Sequence, residues 1–282
     1  MLIPDEIRKC VVFVCSNSAS AGIQPRGTAF LFATMIAHEH NLVRVDVVTA
    51  KHVIIGIRES LTTDGQVLLR LNLRDGGTHV MVTQPGHWHL DPSADVAVLN
   101  AEISSKDFDV KYLSASISAA DDVIMKHRIG IGDDVFITGL FVNHYGANNN
   151  IPILRVGNIA AVPSEPVSTG MGPMPAYLIE ARSIGGLSGS PVFVYLDPFR
   201  MGAGPKGSIL VSSGEGPIGG ASFLLGLIHG HYDVQAPAEA EPDGGLKEQA
   251  INMGIAIVVP VAQVIATINA AVGGTSYLIK RA

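Results

Sequence analysis

The sequence has few cysteines and no recognisable leader segment. Cys10 and Cys15 are the two cysteines among 282 residues. On one predicted strand, a rise of about 3.3 Å per residue separates them too widely for a disulfide between them. The N terminus also lacks a basic segment followed by a long apolar core. We therefore expect reduced thiols and a cytoplasmic protein.

An excess of basic residues and long apolar runs are also missing. Lys and Arg number 19 against 25 Asp and Glu, which gives a formal net charge of −6. This balance excludes a general affinity for nucleic acid or for anionic membranes. No apolar run approaches the roughly 20 residues that span a bilayer. With 47% hydrophobic residues, the chain is typical of a folded protein with a substantial core, and we expect neither nucleic acid nor a membrane as partner.

Short β-prone runs separated by turn signals dominate the chain, which favours an all-β protein. The run 10–15 reads as a buried strand, and 67–73 alternates apolar and polar residues as a strand exposed on one face does. Residues 100–128 are predicted to form the crossover between the two halves of the molecule, and 163–175 and 232–252 to form loops. Apolar residues at helical spacing predict one terminal helix over 261–271. Further strands are predicted at 27–33, 43–49, 79–82, 132–139, 151–159, 176–181, 224–231 and 254–260.

A glycine-rich turn at 185–191, Gly-Gly-Leu-Ser-Gly-Ser-Pro, presents a serine at the start of an apolar strand. Glycines on both sides of Ser188 let the backbone turn sharply there. In such a turn the N–H groups of Gly186 and Ser188 can converge on one oxygen, as stabilising a tetrahedral oxyanion requires. Because a serine hydroxyl is a weak nucleophile at neutral pH, Ser188 also needs a base.

The turn resembles the nucleophile loop of the trypsin/chymotrypsin-like serine peptidases, whose usual form is Gly-x-Ser-Gly-Gly-Pro. Residues 49–52, Thr-Ala-Lys-His, resemble the segment that carries the catalytic histidine of that family, and 95–99, Asp-Val-Ala-Val-Leu, resemble the segment that carries its aspartate. Residues 27–30, Gly-Thr-Ala-Phe, resemble a strand found before the histidine in bacterial members. The four matches span residues 27 to 191 in the family's order.

The resemblance implies a fold, an activity and a division of roles. It implies two antiparallel six-stranded β-barrels with a C-terminal helix, one barrel in residues 1–125 and one in 126–282, with the active site between them. His52 would act as base and then as acid, Asp95 would orient His52, and Ser188 would be the nucleophile, with Gly186 and Ser188 forming the oxyanion hole. The implied protein is a serine endopeptidase that acts on proteins or peptides through an acyl-enzyme, without cofactor or metal.

Several alternatives remain at this stage. Asp91 competes with Asp95 as the acid, although the apolar run after Asp95 would hold that residue more rigidly. The same fold could serve a catalytically silent binding protein, or the same residues could make an esterase. The serine elbow of α/β-hydrolases is disfavoured because position 190 is Ser and the histidine precedes the serine.

The resemblance also places a substrate pocket near Arg182, Ser183, His229, His231 and Gly254. Arg182 stands six residues before Ser188, where members that cleave after Lys or Arg carry Asp. A pocket with Arg182 and either His229 or His231 would prefer an acidic side chain at the cleavage position, as in the glutamyl endopeptidases that the turn resembles. The sequence does not fix the natural substrate or the oligomeric state.

Overall fold

The computed structural model describes residues 3–37, 42–61, 64–181, 185–197, 210–211, 221–236 and 249–272, and most of its regular structure is β. The strands are β1 (Val11–Ser18), β2 (Gly22–Ala37), β3 (Leu42–Thr49), β4 (Val67–Asn72), β5 (Thr78–Thr83), β6 (His89–Leu90), β7 (Ala97–Asn100), β8 (Tyr112–Ser114), β9 (Asp134–Gly139), β10 (Ile153–Ala161), β11 (Val167–Thr169), β12 (Gly172–Met174), β13 (Tyr177–Glu180), β14 (Pro191–Leu196), β15 (Leu210–Val211), β16 (Ala221–Ala236) and β17 (Gln249–Pro260). The α-helices are α1 (Lys51–Arg58), α2 (Asp121–His127) and α3 (Val261–Ala271).

Six strands of the second half close into a barrel in the order β10-β13-β17-β16-β14-β9. Adjacent strands of the barrel run antiparallel, as in the pairs β14–β16 and β16–β17. β9 and β14 are rich in β-branched and aromatic residues, which favour a pleated, packed surface. The barrel encloses a core that includes Val135, Ile179, Val192 and Val258. β14 begins just after the Ser188 turn, so the barrel supports that turn directly.

The first half forms a nine-stranded sheet whose main path is β5-β4-β1-β2-β3-β7-β6, with β8 and β15 attached to the side. β3 lies in this path between β2 and β7, and α1 begins two residues after β3 ends. The start of α1 and the loop before β7 are therefore held by the same sheet.

Of the predicted all-β architecture with two six-stranded barrels and a C-terminal helix, a mostly β fold, one closed six-stranded barrel and the C-terminal helix are confirmed. A second closed barrel is not seen among the described strands, where the main path of the first sheet is open from β5 to β6. The second barrel and the division at residue 125 stay predictions. One apolar cluster spans both halves, since it joins residues such as Phe30 and Leu99 to Phe193 and Leu224.

Several local predictions were wrong for identifiable reasons. Residues 5–10 form a 3₁₀ helix, so Cys10 precedes β1. The strand predicted over 67–73 as half-exposed is buried from Val67 to Leu71, because its outer face is covered by the loop around Asn150. The predicted loop at 163–175 contains the β11–β12 hairpin, and the crossover at 100–128, for which no elements were predicted, contains β8 and α2. β16 and β17 extend into the predicted loop 232–252, whose centre lies outside the described residues.

Arg70 of β4 joins this sheet to the loop before β10. Its guanidinium donates to Asn150 Oδ1 at 3.0 Å and to the Ala147 carbonyl at 2.8 Å, while Asn150 Nδ2 donates back to the Arg70 carbonyl at 2.6 Å. Such reciprocal bonding satisfies a buried cation and a buried amide together. It explains why a charged residue occurs on a fully covered strand.

No helix within the described residues is both long enough and apolar enough to cross a membrane.

Candidate active site

His52 is the second residue of α1 and follows the end of β3 closely. The helix begins at Lys51 after an extended residue, Ala50. β3 pairs on both sides, with β2 and with β7, so the backbone that leads to His52 is fixed. The His52 side chain is 36% exposed. The imidazole is thus anchored at its base while part of the ring remains open to solvent.

Asp95 lies in the loop before β7, where the side chain is almost fully buried. Strand pairing brings Asp95 close to His52, because Thr49 at the end of β3 pairs with Ala97 at the start of β7. Asp95 Oδ1 accepts the His52 backbone N–H at 2.8 Å, and Oδ2 lies 2.7 Å from His52 Nδ1. An ionised carboxylate can only accept, so His52 Nδ1 carries the proton. In the neutral ring, Nε2 is then left with a free lone pair.

The charge state of Asp95 follows from its surroundings. Burial favours the neutral acid and would by itself raise the pKa of Asp95. The hydrogen bonds from His229 and His52 outweigh burial and hold the pKa of Asp95 well below its usual range. Asp95 is therefore a carboxylate at every pH at which a histidine base could work.

Asp91, the alternative acid, has a different set of partners. Its Oδ1 accepts the backbone N–H groups of Ser93 and Ala94 at 2.8 and 2.7 Å, and its Oδ2 accepts the Thr267 hydroxyl of α3 at 2.7 Å. Burial opposes ionisation of Asp91, but these bonds prevail and lower its pKa. Asp91 therefore shapes the turn before Asp95 and ties α3 to it.

The Ser188 turn depends on two glycines with left-handed backbones. Gly186 has φ +99° and Gly189 has φ +82°, a region that L side chains rarely adopt. Ser190 N–H donates to the Leu187 carbonyl at 2.9 Å, and Thr28 N–H donates to the Ser188 carbonyl at 2.9 Å. Within the described chain, the N–H groups of Gly186 and Ser188 have no protein acceptor. The oxyanion hole that the sequence places at these two N–H groups stays a prediction.

Thr28 supports the turn from below. Its buried hydroxyl donates to the Gly186 carbonyl at 2.9 Å and accepts the Leu140 N–H at 2.9 Å. Leu140 also packs so close to Gly186 that a Cβ there would lie 2.9 Å from its Cγ. The sequence motif around Thr28 signalled this strand, but its contact with Gly186 was not predicted.

Two buried hydroxyls beside the turn give a paired prediction about stability. Thr28→Val leaves the Gly186 carbonyl and the Leu140 N–H without partners, and we expect it to lower the free energy of unfolding by about 1–3 kcal/mol. Ser190 Oγ is fully buried and has no hydrogen-bond partner in the part of the chain that the structure describes. Ser190→Ala should therefore leave stability unchanged or raise it by up to about 1 kcal/mol. Denaturant unfolding of both variants measures the contrast, and a larger loss for Ser190→Ala would contradict it.

The Ser188 hydroxyl rests against the neighbouring strand. Ser188 Oγ donates to the His229 carbonyl oxygen at 3.3 Å. Among the described contacts, no hydrogen bond joins Ser188 Oγ to His52. A rotation about the Cα–Cβ bond redirects a serine hydroxyl, and catalytic hydrogen bonds often form only once substrate is bound. The turn itself lies against the backbone that leads to His52, since a Cβ on Gly189 would overlap the Thr49 hydroxyl and lie 2.9 Å from Ala50 N.

His229 is the unexpected member of the cluster. It lies in β16, and its Nδ1 is 2.5 Å from Asp95 Oδ2. Its ring stands edge-on to the His52 ring, with 5.5 Å between centroids and 82° between planes. The sequence placed His229 in the substrate pocket, and nothing in the spacing of residues 95 and 229 signalled this contact.

The His52, Asp95 and His229 ligand atoms lie within 4.8 Å of one another, a set that could hold a metal ion. Both Nδ1–Oδ2 separations, 2.7 and 2.5 Å, are hydrogen-bond lengths, and a metal ion would have to displace both protons. We therefore describe the three side chains as a hydrogen-bonded cluster. The absence of a metal requirement stays a prediction.

The sequence predicts four further pocket residues besides His229. Arg182 and Ser183 lie outside the described residues. His231 lies two residues beyond His229 in β16, opposite Ala256 of β17. Gly254 has φ +78°, and its carbonyl accepts the Ala181 N–H at 2.9 Å. The substrate-binding roles of these residues and the preference for acidic side chains stay predictions.

The two cysteines are free and buried, and neither thiol is in a reactive state. Both are buried, and burial raises the pKa of the Cys10 thiol and brings that of Cys15 to about 12. Because the thiolate is the reactive form, we expect the native protein to resist alkylation and any hydrolytic activity to survive iodoacetamide. Mass spectrometry after treatment with and without denaturant measures this. Rapid alkylation of the folded protein would contradict it.

Comparisons with known proteins show the fold. No family model and no curated protein matches the chain. Among solved structures, Deg5 is similar with a TM-score of 0.55 at 14% identity, over 96% of this chain and 93% of that one. The MamO protease domain from Magnetospirillum magneticum gives a TM-score of 0.49 at 14% identity, over 93% and 97%. The fold is of the trypsin-like kind, and at this identity the likeness extends to the fold alone.

Proposed function

We propose that the chain is a serine endopeptidase in which His52, Asp95 and Ser188 form the catalytic triad. The observation that carries the proposal is the His52–Asp95 pair. A buried carboxylate bonds both the backbone N–H and the ring Nδ1 of His52, with the Ser188 turn packed against the strand end that leads to this histidine. The trypsin-like fold supports it.

The geometry supports a defined sequence of proton and bond transfers. Ser188 Oγ attacks the carbonyl carbon of a peptide bond and gives its proton to His52 Nε2. Asp95 stabilises the imidazolium that forms, because Oδ2 already accepts its Nδ1–H. The N–H groups of Gly186 and Ser188 stabilise the oxyanion. His52 then protonates the leaving amine as the C–N bond breaks. Water next attacks the acyl-enzyme carbonyl while His52 Nε2 takes its proton, and His52 returns that proton to Ser188 Oγ as the ester C–O bond breaks.

Protein or peptide substrates would approach between the closed barrel and the first sheet, which the sequence predicts to be a second barrel. His52 lies in α1, directly after β3 of the first sheet, and Ser188 precedes β14 of the barrel. The site would thus be complete only when both parts are folded together. No metal or cofactor takes part in the proposed steps, so a chelator should leave the rate unchanged.

A catalytically silent binding protein on the same fold is the second candidate. It is favoured by one observation, the resting Ser188 hydroxyl on the His229 carbonyl. If binding is the function, peptides would associate without turnover, and the triad geometry would be incidental.

Cleavage of a proteome-derived peptide mixture separates these functions. We expect the wild-type chain to produce new peptide termini and Ser188→Ala to lower the rate by about 10⁶-fold. Hydrolysis of activated esters without any peptide cleavage would instead indicate an esterase. Peptide binding without cleavage would support the silent protein. Enrichment of Glu or Asp before the cleaved bond would support the acidic pocket, and its absence would reject that hypothesis.

A further inference from the structure

Asp95 is shared by two imidazoles. His52 Nδ1 and His229 Nδ1 lie 2.7 and 2.5 Å from the same carboxylate oxygen, Oδ2. The other oxygen, Oδ1, accepts the His52 backbone N–H. The Asp95 side chain is 1% exposed and the His229 side chain 11% exposed. Solvent therefore has little access to this oxygen, and both hydrogen bonds come from protein.

His52 and His229 hold the Asp95 carboxylate from different directions. Both hydrogen bonds from His52 come from one residue at the start of α1, so they constrain Asp95 from one side only. His229 approaches from β16, a strand of the closed barrel. A buried carboxylate held from two sides keeps its orientation when the ring of His52 gains and loses a proton. The hydrogen bond from His229 Nδ1 holds the carboxylate from the second side.

The backbone at His229 is bound to the nucleophile turn as well. The carbonyl of Ile228 accepts the Gly189 N–H at 2.8 Å, and Ile228 N–H donates to the Ser190 carbonyl at 2.9 Å. The next carbonyl, that of His229, accepts the resting Ser188 hydroxyl. A single stretch of strand therefore fixes the turn through its main chain and the acid through its side chain.

We propose that His229 is a positioning residue that holds Asp95 in the orientation His52 needs. This role rests on the proposed function, and it differs from the substrate-pocket role that the sequence predicts for His229. The residue touches neither the reacting carbonyl nor the leaving group. It acts through Asp95, and its carbonyl holds the hydroxyl of Ser188 between turnovers.

A matched pair of variants tests the proposal by kinetics. His229→Asn keeps an N–H donor near the position of Nδ1, whereas His229→Leu keeps bulk and removes the donor. Because a hydrogen bond to a charged group contributes about 10- to 150-fold, we expect His229→Leu to lower kcat by 10- to 100-fold with KM changed less than about threefold. His229→Asn should recover most of kcat. A rise in KM with unchanged kcat in both variants would overturn the proposal in favour of a pocket role.

A second measurement does not depend on turnover. Imidazole N–H protons bound to a carboxylate resonate downfield of the backbone amides in proton NMR spectra. We expect two such resonances in the wild-type chain, with the one from His229 lost in His229→Leu and that of His52 shifted or broadened. An unchanged His52 resonance in His229→Leu, or no His229 resonance in the wild-type chain, would overturn the proposal. If the chain hydrolyses nothing and these spectra appear as expected, the proposed function fails while the positioning contact stands.

Discussion

Asp95→Asn should lower kcat by about 10⁴-fold while the protein stays folded. Asp95 Oδ2 accepts from two imidazole Nδ1–H groups and Oδ1 from the His52 backbone N–H. In Asp95→Asn the amide NH₂ would replace either Oδ1 or Oδ2, and in either position its N–H groups would face an N–H donor of His52 or His229. The His52 ring would then reverse its tautomer or turn away, and Nε2 would lose the lone pair that accepts the Ser188 proton. Steady-state kinetics and circular dichroism measure the two halves of the prediction.

Asp91→Asn is the matched control, four residues away on the same loop. Asp91 accepts bonds from the backbone turn and from Thr267, so its loss should lower the free energy of unfolding by about 1–3 kcal/mol. Below the melting temperature, kcat should stay within about threefold of wild type. A catalytic loss in Asp91→Asn as large as that in Asp95→Asn would contradict the assignment of the acid.

Gly189→Ala should be the most destabilising single change at the site. A Cβ at Gly189 would overlap the Thr28 carbonyl and the Thr49 hydroxyl and lie 2.9 Å from Ala50 N. Thr49 and Ala50 lie at the end of β3 that leads to His52, and Thr28 lies in the neighbouring strand β2. The left-handed backbone costs about 1–2 kcal/mol for an L residue, and forced overlap adds about 1–3 kcal/mol. We expect the free energy of unfolding to fall by about 2–5 kcal/mol, measured by urea unfolding.

Gly185→Ala provides the comparison for stability within the same turn. Among the residues that the structure describes, a Cβ at Gly185 meets only Val142, at the ordinary distance of 4.0 Å. Its unfolding free energy should remain within about 0.5 kcal/mol of wild type. If both alanines destabilise the protein equally, the turn is sensitive to glycine loss in general, and the close packing of Gly189 on Thr28 and Thr49 does not explain the effect.

The sequence predicted the elements whose signal is local. β-Branched and aromatic runs predicted β2, β3, β9 and β14 because pleated, half-buried surfaces select those residues. The glycines around Ser188 predicted a sharp turn because few other residues accept φ above zero, and Gly186 and Gly189 do have positive φ. The pairing of His52 with Asp95 was implied by the family resemblance, and the structure brings the two residues together because they flank paired strands.

The remaining features depend on contacts between distant segments. The burial of Arg70 was not predicted because the loop that covers it is about eighty residues away in the chain. The bond from His229 to Asp95 was missed for a similar reason. It spans 134 residues, and the register of β16 against β17 shifts between Ile228 and Gly230. An irregularity of that kind changes which way a side chain points, and no local pattern in the sequence reveals it.

Covalent labelling of Ser188 tests the central claim most directly. A fluorophosphonate reacts with a serine only when a base and an oxyanion site activate it. We predict that one equivalent adds to the wild-type chain, that peptide mapping places it on Ser188, and that Ser188→Ala and His52→Ala abolish it. A folded wild-type chain that stays unlabelled, or labelling that persists in His52→Ala at the wild-type rate, would contradict the proposed triad.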